Sequence, residues 1–271
     1  MSYFKLAVGV YMSLLRYRIY SETHTISHKK PVMVMLHGLG GGYANWYGQI
    51  HALKVPYDLL LIELPSHGRS PVLMSEMEIS YDALVEKILE VVDHLGIKKA
   101  HYAGVSLGTM LVKYIVLNHP ERVDKYVLAG PIGDFTFVLR TAINFVRHLF
   151  PIAPLEFILR LVALVVMPYK ISKYGRDVFL ACARKLAKKE FIAWCKLLTK
   201  FKDIQRTFQQ TMGDEPNGLY LVGALDHFFI PMLKRDKNRV KNIFFIPAAG
   251  HICIADQANA VNRHIISFIG E

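Results

Sequence analysis

An α/β fold is predicted for this chain: a mostly parallel central sheet flanked by helices and interrupted by a helical insertion. Three features of the sequence predict it. Short apolar runs alternate with stretches of helical period, the order produced when parallel strands are joined by crossover helices. The glycine-rich and chemically distinctive residues follow those apolar runs directly, at the ends where open α/β sheets bind ligands. Between about Asp134 and Gly213 the strand rhythm stops, and helix-like segments rich in Leu, Phe, Lys and Arg take over.

The elements follow in order. Residues 16–20 alternate Arg16 and Arg18 with Tyr17 and Ile19, as an antiparallel edge strand does. Apolar runs at 31–36 (PVMVML), 59–64 (LLLIEL), 100–105 (AHYAGV), 125–129 (KYVLA), 218–222 (GLYLV) and 242–246 (NIFFI) are the strand candidates. Residues 81–95 place Leu84, Ile88, Val91, Val92 and Leu95 on one face of a helix that Gly96 stops. A second helix is expected over 107–118, before Pro120. The expected division is a core of residues 1–133 and 214–271, with 134–213 forming the helical insertion.

A length of 271 residues suits one large domain, or one carrying an inserted subdomain. With 52% hydrophobic and 20% charged residues the chain is neither disordered nor collagen-like. Cys182, Cys195 and Cys253 are an odd, sparse set without metal-ligand spacing, which points away from a disulfide framework or a zinc site and toward a reducing, cytoplasmic setting. The apolar stretch 4–15 holds Lys5, is followed by Arg16 and Arg18, and lacks a small-residue cleavage site, so it is expected to belong to the fold. Residues 157–167 are also apolar, but Arg160 interrupts them and Pro168 ends them short of the roughly 18 residues a membrane span needs. A buried or interfacial helix is expected there. The net charge of +11 is concentrated: Phe135 through Arg206 carries 14 Lys/Arg against 4 Asp/Glu.

Gly104-Val105-Ser106-Leu107-Gly108 stands between an expected strand and an expected helix, the setting a nucleophile elbow needs. Such a turn thrusts the serine to its apex above a helix N-terminus; a glycine-flanked turn serine is the plainer reading. A serine hydroxyl needs a base within hydrogen-bond reach. His251, in Ala249-Gly250-His251 after the last strand, is the leading candidate among twelve histidines. The base needs a carboxylate to fix its tautomer, and Asp226, in Gly223-Ala224-Leu225-Asp226-His227, follows a strand and fits; Asp134 is its rival. His37-Gly38-Leu39-Gly40-Gly41-Gly42 would let backbone amides approach a developing oxyanion, with the N–H groups of Leu39 and Leu107 as donors. The loop lacks a P-loop ending and the spacing of a dinucleotide fingerprint, so phosphate cradling is discounted. Cys253, without an elbow, is read as packing.

HGLGG, GVSLG, the aspartate of GALDH and the histidine of AGH, in that order, resemble the α/β-hydrolase superfamily from about residue 16 to 270, the insertion excepted. The insertion is similar to the family's variable helical cap. Glu63 through Ser70 (ELPSHGRS) resembles a further family motif, D-x-P-G-H-G-x-S, with Glu63 for aspartate and Ser66 for glycine; in relatives that motif is mainly structural. The resemblance implies a serine hydrolase with a Ser106–Asp226–His251 triad and no metal or organic cofactor. It also implies a lid that selects substrates.

The expected substrate is a carboxylic ester of moderate, lipophilic size cleaved through an acyl-enzyme on Ser106. A thioesterase, a carbon–carbon bond hydrolase or lyase, and a slow-turnover receptor are the alternatives. Phe135, Phe137, Phe145, Phe150, Phe157, Leu161, Phe179 and Trp194 are candidates to line the pocket or simply the core. The basic surplus suggests peripheral contact with anionic membrane or attraction of anionic substrates, and no nucleic-acid motif is present.

Overall fold

In a computed structural model, residues 14–72, 80–133, 141, 145–146, 148–212, 217–227, 230 and 241–270 are described. Most of the stretch 4–15, Asp134, Phe135 and Phe137 lie outside them.

Seven strands form one sheet: β1 (Tyr17–Tyr20), β2 (Val32–Leu36), β3 (Asp58–Ile62), β4 (Ala100–Val105), β5 (Val123–Ala129), β6 (Gly218–Gly223) and β7 (Ile243–Ile246). Their order is β1-β3-β2-β4-β5-β6-β7. Only β1 is antiparallel, with Tyr17 opposite Ile62, while the remaining pairs run parallel. Each expected strand is present within about two residues. The inner strands β2, β3, β4 and β6 are buried along their whole length, whereas β1 and β7 at the edges are partly exposed. Val32, Val34 and Leu36 of β2 enter one apolar cluster and Met33 and Met35 the other. Leu60 and Ile62 of β3 separate from Leu59 and Leu61 in the same way. That period of two divides the core into two layers.

One layer is covered by α2 (Tyr81–His94) and α3 (Leu107–Asn118). Ser80 caps α2, its side chain accepting the Ala83 N–H at 3.2 Å. Leu84, Val85, Ile88, Val91 and Val92 turn inward from that helix. The other layer is covered by α1 (Tyr47–Leu53) and the C-terminal helix α9 (Ala258–Gly270), which pack together.

Between β5 and β6 the described residues include the helices α4 (Leu155–Val166), α5 (Lys173–Ala183), α6 (Lys188–Thr199) and α7 (Lys202–Met212). Trp194, Leu197, Phe201 and Phe208 join the apolar layer that contains α3, whereas Phe150, Phe179 and Phe191 join the opposite one. Lys113 of α3 is buried and donates to the Ile132 carbonyl at 2.8 Å and to Gln205 Oε1 of α7 at 2.7 Å, stitching these helices to the sheet layer. Of the aromatic residues expected to line a pocket or the core, Phe150 and Trp194 are core, while Phe145 and Phe157 face solvent.

Candidate active site

Four loops meet at the carboxyl edge of the sheet. Ser106 follows β4, the His37–Gly42 loop follows β2, Asp226 follows β6 and His251 follows β7. The strand order sets β2, β4, β5, β6 and β7 side by side, so residues far apart in the chain share one rim.

Ser106 has φ 52° and ψ −119°, a backbone conformation L-residues rarely occupy. The surrounding structure imposes it: the Ser106 N–H donates to the Ala129 carbonyl at the end of β5 at 3.0 Å, and α3 begins at the next residue. The glycines of the pentapeptide permit the turn. A Cβ on Gly104 would strike the backbone of Gly108, and one on Gly108 would strike the Leu36 carbonyl at the end of β2. The sharp turn therefore stands where the strand-to-helix reading placed it.

His251 Nε2 lies 2.8 Å from Ser106 Oγ, and His251 Nδ1 lies 2.9 Å from Asp226 Oδ2. A carboxylate only accepts, so Nδ1 carries the proton and Nε2 is left to accept from the serine hydroxyl. Both rear members are shielded from water, His251 being 3% and Asp226 1% exposed. The loops that carry them are stitched together, Leu225 N–H donating to the Ala249 carbonyl at 2.8 Å. Asp134, the rival carboxylate, lies outside the described residues.

The loop after β2 runs against the serine: a Cβ built on Gly38 would sit 3.1 Å from Ser106 Cβ and 3.6 Å from its Oγ. Two buried histidines hold this loop. His37 Nδ1–H donates to the Gly38 carbonyl at 2.8 Å, and its Nε2 accepts the Leu64 N–H at 3.0 Å. His67 Nδ1–H donates to the Pro65 carbonyl, while its Nε2 accepts the Gly40 N–H, both at 3.0 Å. Leu39 lies between the two held residues. Burial keeps both imidazoles uncharged, pushing His67 down to about 4 and His37 well below the ordinary range, the latter helped by its neighbour 4.8 Å away. The ELPSHGRS segment thus reaches the site through His67. Ser66, at the family's glycine position, adopts φ 65°.

Leu107 opens α3, so its N–H has no intrahelical acceptor. Among the described residues the Leu39 N–H has no acceptor either. Phe179 of α5 packs on Gly40, bringing a helix from between β5 and β6 onto the loop. Cys253 is buried, its thiol pushed up to about 12 by desolvation, and it donates to the Leu221 carbonyl at 3.6 Å; this is the packing role expected of it. No cluster of three metal-ligating side chains occurs among the described residues.

Sequence reasoning missed Asp256, on the short helix α8 (Cys253–Asp256). Its Oδ2 accepts the Gly250 N–H and the Ser172 hydroxyl, both at 2.8 Å. Burial raises its pKa while those two bonds act in the opposite direction. The carboxylate joins the loop immediately before His251 to the turn between α4 and α5. The only signal in the chain was an acidic residue five places after His251. Asp256→Ala would leave two buried donors unpaired, costing about 2 kcal/mol. We expect kcat for a small soluble ester to fall roughly 10- to 100-fold with KM within about twofold, because the imidazole loses its support rather than the substrate its contacts. Unchanged kcat in a folded Asp256→Ala protein would sink this positioning role, and Ser172→Ala measures the share of the turn between α4 and α5 alone.

Residues 31–151 match the family described as alpha/beta hydrolase fold. The chain has the α/β-hydrolase fold. It is 27% identical over 241 residues to the dihydrolipoyllysine-residue acetyltransferase component of the acetoin cleaving system of Pseudomonas putida, covering 88% of this chain and 63% of that one. It is 35% identical over 97 residues to pimeloyl-[acyl-carrier protein] methyl ester esterase of Aeromonas hydrophila, 36% of each chain. The chain thus spans less than two thirds of these relatives' length. A solved structure from work on carboxylesterases of the thaumarchaeon Nitrososphaera gargenis superposes with a TM-score of 0.77 at 17% identity, covering 94% of this chain and 93% of that one. Such neighbours share this chain's fold.

Proposed function

We propose that this hydrolase-fold protein cleaves carboxylic esters of moderate, lipophilic size through an acyl-enzyme on Ser106. The observation that carries the reading is the unbroken relay from Ser106 Oγ through His251 to Asp226, at 2.8 and 2.9 Å, with the hydroxyl on a strained elbow. As Ser106 Oγ attacks the carbonyl carbon, its proton passes to His251 Nε2, and Asp226 stabilises the imidazolium. The carbonyl oxygen becomes an oxyanion that takes the N–H groups of Leu39 and Leu107, each donor worth roughly 3 to 4 kcal/mol. Collapse breaks the bond to the alcohol oxygen, which takes the proton from His251. Water then repeats the cycle: His251 removes its proton, the hydroxyl attacks the acyl carbon, and the acid leaves as Ser106 regains its proton.

In this reading, residues 134–213 form a lid over a pocket, with Phe179 beside Gly40 as one wall. The apolar make-up of that segment favours a lipophilic acyl group. Free thiols at Cys182, Cys195 and Cys253 suit a reducing, cytoplasmic setting. No step calls for a cofactor.

A fluorophosphonate probe tests the nucleophile. Labelling of the wild-type protein that disappears in Ser106→Ala is the expected result. Folded wild-type protein that takes no label would sink the reading and favour a receptor. A hydrolysis profile over acyl chain lengths, with thioesters and vinylogous diketones alongside, then separates ester cleavage from thioester and carbon–carbon cleavage by the same relay.

A further inference from the structure

Seven of the fourteen exposed large apolar side chains among the described residues fall between Phe145 and Tyr174. Along α4, Ile158, Leu159 and Ala163 are buried, so the opposite side of the helix faces water. That outer side carries Phe157, 55% exposed, and Leu164, 58% exposed, two turns apart in one row with Arg160 between them. Ile152, 80% exposed, precedes the helix, and Ile171 and Tyr174 follow it, both exposed. A helix on the surface of a soluble domain normally turns its polar residues to water; this one turns out a leucine and a phenylalanine.

Cations accompany the apolar row. Lys170 and Lys173 stand beside Ile171 and Tyr174, and Arg160 and Arg184 share Glu156 on the same helix. Three of the four acidic side chains between Phe135 and Arg206 are already used within this segment, Glu156 by those arginines, Asp177 by Lys173 at 2.7 Å, and Glu190 at its own helix start. Arg160, Lys170, Lys173 and Arg184 are all exposed and outnumber Glu156 and Asp177 beside this row.

The far end of the row touches the candidate active site. Arg176 donates to the carbonyls of Met167 and Tyr169, fixing the turn between α4 and α5. From that turn Tyr169 sets its ring edge-on to His227, next to Asp226, with centroids 6.0 Å apart. Ser172 reaches Asp256 behind His251. Apolar side chains, an outward cation surplus and contact with the rim of the triad coincide on one short stretch of chain. We propose that the outer face of α4 and the turn after it dock on an anionic lipid bilayer, and that the ester substrate is drawn from that bilayer. No helix among the described residues is long and apolar enough to cross a membrane, so the contact is peripheral. The docking deepens the esterase reading by naming where its substrate resides, yet the binding itself does not depend on Ser106.

The test uses the full chain and vesicles of phosphatidylcholine, with and without about a third phosphatidylserine. Wild-type protein is expected to sediment with the anionic vesicles and to be released by salt. Phe157→Glu/Leu164→Glu, and separately Lys170→Gln/Lys173→Gln, should lower partitioning at least about tenfold. In all of these proteins fluorophosphonate labelling and turnover of a short, water-soluble ester should match wild type within about twofold. Three results would overturn the docking face: wild-type protein that stays in the supernatant at low salt, binding unaltered by Phe157→Glu/Leu164→Glu, or a solution dimer that this pair of substitutions dissolves. Failure of labelling with vesicle binding intact would remove the esterase reading and leave the docking standing.

Discussion

His251→Ala is expected to lower kcat on a short-chain ester by roughly four to six orders of magnitude, and the double variant Ser106→Ala/His251→Ala to lose no more than either single one. The reason is chemical. A serine hydroxyl at neutral pH is nearly inert, and in the proposed mechanism the 2.8 Å bond to His251 Nε2 is the route by which its proton leaves during attack. Once the acceptor is gone, the hydroxyl contributes nothing more, so removing it adds no further loss. Asp226→Asn should cost about four orders of magnitude by another path. An amide nitrogen facing Nδ1 turns the imidazole to the tautomer whose Nε2 donates, and the serine proton then has no acceptor. Steady-state rates on p-nitrophenyl esters, with melting temperatures to establish folding, decide the matter. Losses that multiply in the double variant would mean that the two residues act independently, and the relay would have to be abandoned.

The same relay shows which parts of the site were readable in the chain. The elbow is local: Gly104, Ser106 and Gly108 are fixed by one turn whose steric needs are written in five consecutive residues. The inner strands were legible because burial on both faces demands unbroken apolar runs, and the edge strand β1 because Arg16 and Arg18 alternate with Tyr17 and Ile19. Asp226 and His251 could be chosen because each follows such a run. Contacts made between loops were not legible. His37 and His67 stood within recognisable motifs, but what they hold, the amides of Leu64 and Gly40, follows from β2 lying beside β3 in the sheet. Asp256 acquires its meaning from Ser172, 84 residues earlier in a segment without any motif. The helical period of α4 gave an apolar helix without saying which side faced inward. Arg160, in phase with Phe157 and Leu164, was the one residue that marked the outer side.

Acid is expected to unfold this protein through the two histidines that hold the loop after β2. His67 has its pKa depressed from the ordinary 6.5 to about 4, chiefly by burial, so the unfolded chain takes up a proton before the folded one does. The stability that His67 contributes is therefore complete above pH 6.5 and is lost as the pH falls toward 4, amounting to about 3 kcal/mol over that window. His37 shifts in the same direction and adds to the loss. Geometry explains why neither ring accepts a proton in place. Each Nε2 already faces a backbone N–H, that of Gly40 or of Leu64, so a protonated ring would set donor against donor in a site closed to water. Escape requires the loop carrying Leu39 to leave Ser106, which would dismantle this side of the candidate site along with the fold. Chemical denaturation from pH 7.5 to 4.5 should show the midpoint falling steeply below 6.5, and His67→Gln, which cannot titrate, should flatten the profile while lowering its plateau. A profile just as steep in His67→Gln would assign the acid sensitivity to other groups and free the loop from this role.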